Sequence, residues 1–379
     1  MSADPNALYS RKNPFPAKLT KNRSLTAEGS AKDTRHFEID LAGSGITYEV
    51  GDSLGVFPTN NPALVEEILG VLGFSGEELV PDPNGNTLPI REALTKSYVI
   101  TEKDKKLLAA IAEKDPTAAH FAPMVTPEGK ADLEAYVWGR EVIDPLLAHP
   151  AAKFTPEEFV KCLRKLQPRL YSIASSQKAH PDAVHLTVAA VRYESHGRKR
   201  AGVCSTFLAD RAETVPVFVH TAKHFRVPED PSTHVIMVGP GTGIAPFMAF
   251  LQERKVSGAT GQNWLFFGDQ KSATDFLYRE ELEVWQQEGV LHKLSTAFSR
   301  DQAEKVYVQH RMLEAAEELF AWLDKGAYFY ICGDASRMAK DVDTALHQVV
   351  EKAGGKSPEE AAAYVEELKK SKRYRKDVY

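Results

Sequence analysis

The sequence is poor in cysteine: only Cys162, Cys204 and Cys332 occur in 379 residues, and they lie far apart. They form neither a CxxC pair nor a spacing that would ligate a metal ion, so we predict no metal site. Three scattered thiols also argue against a disulfide framework and favour a reducing, cytoplasmic environment.

Long apolar runs and an excess of basic residues are missing as well. No apolar run is long enough to span a bilayer, and the N-terminus lacks the basic and apolar regions of a signal peptide. The net charge of −5 gives no overall basic surface for nucleic acid. We therefore expect no membrane insertion and no nucleic-acid partner. The length predicts about two or three globular domains.

The pattern of apolar residues predicts an antiparallel barrel of short strands that is interrupted by a helical block. Arg35–Leu41 alternates apolar and polar residues, as a half-buried strand does. After the helical block, strand-like segments return at Gln167–Ser176, Val184–Tyr193 and Val215–His220. Within the block, apolar residues recur at helical spacing, with Asn61 as a candidate N-cap of the first helix. The predicted helices are 62–72, 103–113, 131–148 and 156–166.

The last 150 or so residues alternate short apolar runs with helical patterns, which predicts a parallel sheet covered on both faces. Ligands of such sheets bind at the carboxyl ends of the strands. The predicted fold class is therefore α+β and multi-domain. Its parts are a flexible N-terminus (1–13), a split barrel (14–60 and 167–228), an inserted helical domain (61–166) and an α/β domain (229–379). The predicted strands of the α/β domain are 235–239, 264–268, 291–298 and 328–333, and the predicted helices are 244–255, 278–287, 308–323 and 335–353.

Arg169, Leu170, Tyr171 and Ser172 place a cation, an aromatic ring and a small hydroxyl on neighbouring positions of one predicted strand. A guanidinium can bind a phosphate with two parallel hydrogen bonds. A phenol ring can cover a flat heterocycle, and a hydroxyl can bond to its edge. Four residues alone would also suit an ordinary strand, but two later stretches complete the same chemistry.

The first of these is the glycine-rich turn at Gly241, Thr242 and Gly243, which lies where a predicted strand meets a predicted helix. Such a turn lets a pyrophosphate approach the backbone at a helix N-terminus. The second is the segment from Ser299 to Gln309, which follows the third strand of the α/β domain. Its polar side chains suit a 2′-phosphate and an adenine, so Arg300 and Lys305 favour NADPH over NADH. Without the glycine-rich turn, a solvated loop would be an equal interpretation of this segment.

Two further features allow two interpretations each. Cys332 in an apolar strand is either a small core residue or a soft neighbour of a nicotinamide ring. The C-terminal Tyr379 belongs either to a frayed tail or to a cover over a flavin face.

Together these stretches resemble the FAD- and NADPH-binding half of the diflavin reductases. That family includes the flavoprotein of NADPH–sulfite reductase, microsomal NADPH–cytochrome reductase and the reductase domains of nitric-oxide synthases. The resemblance extends from about Pro14 to the terminal Lys376–Tyr379 and includes 169–177, 239–247, 264–269, 299–309 and 332–341. It implies a flavin-binding barrel, an NADPH-binding α/β domain and hydride transfer from NADPH to FAD.

The resemblance also implies a role for individual residues. Ser172, Cys332 and Asp377 would surround the hydride path, and Tyr379 would stack on the flavin. The residues implied to bind FAD are Thr101, Arg169, Leu170, Tyr171, Ser172, Thr187, Val188, Ala189, Tyr193, Gly202, Val203, Cys204, Ser205 and Tyr379. The residues implied to bind NADPH are Gly241, Thr242, Gly243, Ser299, Arg300, Lys305, Val306, Tyr307, Val308, Gln309 and Asp341.

One departure concerns FMN. Full-length members of the family begin with a flavodoxin-like FMN domain, whereas only about fifteen residues precede the barrel here. We therefore expect no FMN on this chain and a separate electron acceptor. The candidate partners are a flavodoxin-like or FMN protein, ferredoxin, or the sulfite reductase hemoprotein.

Two alternatives remain at this stage. One is a ferredoxin– or flavodoxin–NADP reductase, although the helical block argues against that smaller architecture. The other is a non-catalytic nucleotide-binding or docking protein, because a fold alone does not prove an activity.

Overall fold

The computed structural model describes residues 8–102 and 105–379. The predicted flexible segment 1–13 therefore falls partly outside the described residues. Within its described part, Ser10 and Asn13 exchange two backbone hydrogen bonds of 2.9 and 3.0 Å. The chain divides into two compact units, Met1–Gly55 with Leu170–Ala189 and Glu213–Tyr379, and Val56–Arg169 with Ala190–Ala212.

The strands are β1 Phe15–Ser24, β2 Thr34–Asp40, β3 Ser53–Val56, β4 Leu79–Pro81, β5 Thr87–Pro89, β6 Arg169–Ser172, β7 Ala183–Ala189, β8 Arg192–Ser195, β9 Arg198–Ala201, β10 Thr214–His220, β11 Val235–Val238, β12 Asn263–Asp269, β13 Lys293–Phe298, β14 Tyr328–Gly333 and β15 Tyr374–Val378. The α-helices are α1 Pro62–Leu72, α2 Ile90–Lys96, α3 Lys105–Lys114, α4 Phe121–Met124, α5 Lys130–Val137, α6 Ile143–Ala148, α7 Pro156–Lys161, α8 Val203–Asp210, α9 Ala245–Val256, α10 Ser272–Asp275, α11 Arg279–Gln287, α12 Val308–Glu314, α13 Ala316–Asp324, α14 Met338–Gly354 and α15 Pro358–Lys370. Short 3₁₀ turns lie at Pro116–Ala118 and Gly241–Ile244.

The first unit contains an antiparallel barrel. Its strands follow the order β6-β3-β10-β1-β2-β7. An antiparallel bridge between Ile173 and Leu186 joins the two outer strands of this sheet. The amide of Ala174 strengthens this join by donating to the carbonyl of His185 at 2.8 Å. Because the outer strands pair with each other, the sheet closes and leaves few free edges.

The first unit also contains a parallel sheet in the order β13-β12-β11-β14-β15. Side chains alternate between its two faces, as the period of a strand requires. Ile236 and Val238 of β11 pack with α12–α15 on one face. Val235 and Met237 pack with α9 and α11 on the other face. Both faces of the sheet are therefore buried, and its carboxyl-terminal edge remains as the place for a ligand.

The second unit is mainly helical and has its own apolar core, built from α1–α4, α6 and α7 with partly buried side chains of α5. Asn61 caps α1, because its side chain accepts a hydrogen bond from the amide of Ala63 at 3.0 Å. Thr155 and Glu158 form a reciprocal capping box at the start of α7. Among the described residues of the chain, no helix combines the length and apolar character needed to cross a bilayer.

The predicted fold class is confirmed, since an antiparallel sheet and a separate parallel sheet with helices are both present. Several element boundaries were wrong. The helix predicted over 131–148 is two helices, because Trp138–Arg140 turns through a left-handed Gly139. The helix predicted over 308–323 is interrupted at Ala315.

Other differences concern strands and the C-terminus. The strand predicted over Val184–Tyr193 ends at Ala189, and a separate strand begins at Arg192. The helix predicted over 156–166 ends at Lys161. Helix α15 and strand β15 were not predicted, and the interpretation of the tail as frayed was wrong because β15 pairs with β14.

The second unit contains a buried ion cluster that should dominate its polar energetics. The Arg200 guanidinium is fully buried and binds Glu141 at 3.0 Å and Asp144 at 2.8 Å. Burial raises the pKa of Glu141, and the guanidinium opposes this increase. Removing one member of such a cluster leaves an uncompensated buried charge.

We predict that Arg200→Met lowers the free energy of unfolding by about 3–5 kcal/mol in urea denaturation, because the carboxylates of Glu141 and Asp144 then lose their buried cation. Lys161→Met is the matched control, since Lys161 pairs with Glu157 on an exposed helix face. That control should cost less than about 1 kcal/mol. Equal losses for the two variants would contradict the importance of the buried cluster.

Candidate active site

The glycine-rich turn lies at the carboxyl end of β11 and leads into α9. Gly241 has a φ of +57°, in the left-handed region that favours glycine. Gly243 packs so closely on the carbonyl of Cys332 that a Cβ at this position would overlap it. No side chain caps the turn at Pro240 or the helix at Ile244. The backbone amides at this helix start are therefore suited to an anion.

A cleft of about 670 Å³ opens beside this turn, within the first unit. Eleven of the residues predicted from the sequence line it: Ala189, Gly241, Thr242, Ser299, Arg300, Lys305, Tyr307, Val308, Gln309, Asp341 and Tyr379. Gly243 and Val306 do not line the cleft. Gly243 contacts β14, and Val306 packs against the apolar core behind the sheet. The structure thus brings the turn after β11 and the segment after β13 to one cavity.

The cleft has uncompensated positive charge at the end of β13. Arg300 and Lys305 are exposed, and neither pairs with a carboxylate among residues 8–102 and 105–379. The backbone at the end of β13 is anchored by two hydrogen bonds. The Arg300 amide donates to the backbone carbonyl of Gln270 at 2.7 Å, and the Ser299 amide donates to that of Asp269 at 2.9 Å. A fixed backbone with two free cations suits a phosphate group.

The opposite side of the cleft is formed by the start of α14. Gln309 donates to Asp341 at 3.4 Å, which links α12 to α14. Asp334 accepts hydrogen bonds from the Ser336 hydroxyl and from the amides of Arg337 and Met338. These bonds lower the pKa of Asp334 to about 2, so its carboxylate is ionised at neutral pH.

The C-terminal strand β15 brings a polar group to the edge of the barrel. The parallel register pairs Asp377 with Cys332 of β14. The Ser172 hydroxyl donates to Asp377 Oδ2 at 2.6 Å, and Cys332 Sγ lies 3.9 Å from the same oxygen. The three residues that sequence analysis assigned to the hydride path therefore lie together around one carboxylate oxygen.

Tyr379 is held at the mouth of the cleft by its backbone and its hydroxyl. Its amide donates to Gly333 at 3.1 Å, and its carbonyl accepts from Ala335 at 3.0 Å. Its hydroxyl lies 2.8 Å from the Thr242 hydroxyl. The residue is nevertheless 64% exposed, so its ring offers a free surface above the glycine-rich turn.

The expected flavin-binding residues of the first unit differ in their surroundings. Tyr171 is half-buried and Leu170 is exposed, whereas Val188 is buried. The Thr187 hydroxyl is buried and lies 2.6 Å from the Tyr278 hydroxyl. Ala189 lines the cleft described above. The Thr187 side chain is therefore already engaged in a buried hydrogen bond.

The remaining expected flavin-binding residues lie in the second unit. Arg169 is partly exposed, with its guanidinium 3.7 Å from Glu102, and Thr101 lies in the bend just before Glu102. Tyr193 is 49% exposed on the β8–β9 hairpin.

Gly202 is the N-cap residue of α8, and no side chain caps this helix start. Val203, Cys204 and Ser205 form the first turn of α8. A Cβ on Gly202 would lie within 2.9 Å of Val191, so the backbone comes unusually close there. This uncapped helix start suits a diphosphate.

Sequence analysis missed four charged residues that line the cleft: Lys32, Asp269, Asp334 and Arg337. Lys32 comes from the barrel, and no local pattern connects it with a turn more than 200 residues away. Asp269 had a signal that was not used, because an acidic residue at the end of the second strand of such a sheet commonly contacts a nucleotide ribose.

Comparisons with known families agree with this geometry. Residues 8–207 match the family described as "FAD binding domain". Residues 237–344 match the family described as "Oxidoreductase NAD-binding domain". The predicted FAD-binding and nicotinamide-dinucleotide-binding oxidoreductase domains are confirmed by these matches.

Several curated proteins are similar to almost the whole chain. A protein of Bacillus subtilis is 49% identical over 375 residues, which are 98% of this chain and 62% of that protein. A protein of Vibrio cholerae is 49% identical over 98% of this chain and 60% of its own length. A protein of Mannheimia succiniciproducens is 46% identical over 98% of this chain and 62% of its own length.

All three of these relatives are named sulfite reductase [NADPH] flavoprotein alpha-component. The present chain spans about 60% of the length of these relatives.

Cys332 should be chemically inert in the folded protein. Burial raises its thiol pKa well above the usual value, and the adjacent Asp377 carboxylate raises it further. Because the thiolate is the reactive form, we predict that iodoacetamide at about pH 8 labels Cys332 only after unfolding in urea. Peptide mass spectrometry identifies the labelled site.

The raised pKa also predicts a pH dependence of stability. A thiol whose pKa is higher in the folded state loses stabilisation as the pH rises above its unfolded value of about 8.5. Cys332→Ala should therefore show a smaller loss of unfolding free energy between about pH 7 and pH 10 than the parent protein. Labelling of folded Cys332 as fast as in urea would contradict this assignment.

Proposed function

The chain belongs to the FAD binding domain family, and from that premise we propose that it is an NADPH-dependent FAD oxidoreductase that passes electrons to a one-electron carrier. The observation that carries the proposal is the cleft at the carboxyl edge of the parallel sheet. There an uncapped glycine-rich turn and the free cations Arg300 and Lys305 line the same cavity. A pyrophosphate and a 2′-phosphate are the anions that such a pair of sites fits.

We assign residues of the cleft to each part of the nucleotide. The amides at Gly241 and Thr242 would bind the pyrophosphate. Arg300 and Lys305, with the Ser299 and Tyr307 hydroxyls, would bind the 2′-phosphate. Gln309 and Val308 would contribute near the adenine end, Val306 would hold this segment against the apolar core, and Gly243 would hold the turn against β14. Asp341 would add a contact from α14.

We assign flavin contacts to residues of the barrel and, separately, to the start of α8. In the first unit, Tyr171 would cover the flavin ring, and Thr187, Val188 and Ala189 would contribute from β7. In the second unit, Arg169 and the uncapped amides at Gly202–Ser205 would bind the diphosphate, with Thr101 and Tyr193 as further contacts. When both cofactors are bound, NADPH supplies a hydride and FAD accepts it and releases single electrons.

The protein's own part in this reaction is orientation and electrostatics. Asp377 holds the Ser172 hydroxyl in one direction through the 2.6 Å bond, so Ser172 is fixed at the edge where the flavin would lie. Cys332 supplies a small, neutral, buried side chain beside them. Tyr379 would cover the flavin face and leave it when the nicotinamide arrives, breaking only a side-chain bond to Thr242.

The relatives named as sulfite reductase flavoprotein components support a sulfite reductase alpha-component type of activity for this chain. Its acceptor would then be the sulfite reductase hemoprotein or a flavodoxin-like, FMN or ferredoxin protein. We propose 14–60 with 167–228 as the flavin domain, 61–166 as the inserted helical domain and 229–379 as the nucleotide domain. The three cysteines are buried and none forms a disulfide, which supports a cytoplasmic location.

The preference of the cleft for NADPH over NADH provides a test of the proposed function. We predict that Arg300→Ala combined with Lys305→Ala raises the KM for NADPH by about a hundredfold and leaves that for NADH within about threefold. The reason is that each free cation contributes about 1.5–3 kcal/mol to a charged hydrogen bond with the 2′-phosphate. The assay is steady-state transfer from either nucleotide to an artificial one-electron acceptor.

Lys352→Ala with Lys356→Ala removes the same charge outside the cleft and should leave both KM values unchanged. Equal losses for NADPH and NADH in the first variant would contradict the 2′-phosphate assignment. Absence of electron transfer in the parent protein with either nucleotide would contradict the proposed activity itself.

Deleting Tyr379 tests its role as a cover. If its ring competes with the nicotinamide, the truncated protein should use NADH better relative to NADPH, because a weakly bound nucleotide no longer has to displace the ring. The ratio of kcat/KM values for the two nucleotides measures this change. Tyr379→Phe, which keeps the ring and removes only the bond to Thr242, is the control. An unchanged ratio after deletion would refute the cover.

A further inference from the structure

Lys32 and Asp269 form an ion pair on the wall of the cleft that none of the roles above requires. Lys32 Nζ lies 2.5 Å from Asp269 Oδ1. Lys32 lies between β1 and β2 of the barrel, and Asp269 ends β12 of the parallel sheet. Both residues line the cleft.

The second oxygen of Asp269 has no hydrogen-bond partner among the described residues, although it is buried. The Asp269 side chain is only 1% exposed, and burial raises its pKa, a change that Lys32 opposes. An unsatisfied buried carboxylate oxygen is costly unless a ligand supplies a donor. A Cβ placed on Gly241 would lie 3.8 Å from this oxygen and 4.0 Å from Lys32 Nζ, so the pair lies directly beside the glycine-rich turn.

The order of the strands shows which part of a nucleotide would meet this pair. Strand β12 lies between β11 and β13. The end of β12 therefore lies between the turn that suits the pyrophosphate and the segment that suits the 2′-phosphate. The adenosine ribose connects those two groups in NADPH. It must pass the end of β12, and its free 3′-hydroxyl is a hydrogen-bond donor.

An acidic residue in this position raises a difficulty for NADPH. Asp269 ends β12, which is the second strand of the parallel sheet along the chain. A carboxylate in this position suits the ribose hydroxyls of NADH and repels a 2′-phosphate. Lys32 provides a compensating charge, since it binds the other oxygen of the same carboxylate. The pair is electrically neutral as long as Lys32 is present.

We propose that Lys32 and Asp269 form a ribose-recognition pair, in which Asp269 Oδ2 accepts a hydrogen bond from the adenosine 3′-hydroxyl and Lys32 neutralises Asp269 so that a 2′-phosphate is tolerated. This inference rests on the proposed function. It adds to that function a residue from the barrel that sets nucleotide selectivity. Asp269 would contribute affinity for either nucleotide, and Lys32 would contribute the preference for NADPH.

The charge part of the proposal is tested by calorimetric titration of the FAD-containing protein with NADP⁺ and NAD⁺. Lys32→Gln should weaken NADP⁺ binding by about tenfold or more and change NAD⁺ binding by less than about threefold, because an unpaired carboxylate then faces the 2′-phosphate. Lys32→Gln combined with Asp269→Asn should restore NADP⁺ binding to within about threefold of the parent. Lys21→Gln is the matched control, since Lys21 forms a similar ion pair with Glu38 on the barrel.

The hydrogen-bond part is tested with a changed ligand. The 3′-deoxy analogue of NADP⁺ should bind the parent about tenfold more weakly than NADP⁺, whereas Asp269→Leu should bind the two equally. This difference between ligands is insensitive to a general loss of stability in the variant. A parent that binds both ligands equally would overturn the assignment of Asp269 Oδ2.

The outcomes separate this inference from the function on which it rests. If the parent binds NADP⁺ but Lys32→Gln weakens both nucleotides equally, or if the double variant does not recover, the pair has only a structural role. If the parent does not bind NADP⁺ at all, the proposed function fails and the inference fails with it.

Discussion

Parallel pairing of five strands is the constraint on which the candidate active site depends. Because the strands run in one direction, the residues after β11, β12, β13 and β14 all meet at one edge of the sheet. Residues that are far apart in sequence, such as Thr242, Arg300 and Tyr379, come to line a single cleft for this reason. The chemistry of the cleft then follows from the side chains that end each strand.

The barrel is joined to this sheet through polar contacts, some of them buried, within the first unit. The Tyr278 hydroxyl lies 2.9 Å from His36 Nδ1 and 2.6 Å from the Thr187 hydroxyl, and Arg23 binds Glu281 at 2.5 Å. Ser172 binds Asp377 at a separate place. These contacts fix the barrel against the parallel sheet and its helices, as hydride transfer between two bound rings would require.

Sequence patterns predicted the elements whose signals are local. Helix α1 was predicted with its residue bounds and its Asn61 cap, and strand β14 was predicted with both ends. Helix α15 had a local signal that was overlooked: Ser357, Pro358 and Glu360 form a capping box with proline at the first position. Strand β15 had none, because its polar residues pair with β14 only in the folded sheet. The Lys32–Asp269 pair was likewise beyond sequence patterns, since 237 positions separate its members.

The central claim is that NADPH reduces a flavin held by this chain. The most direct measurement is an anaerobic titration of the FAD-containing protein with NADPH, followed by the visible absorbance of the bound flavin. The account predicts that about one equivalent of NADPH bleaches one FAD, and that NADH does so only at much higher concentration. A flavin that stays oxidised in excess NADPH, in a protein shown to bind NADP⁺, would contradict it.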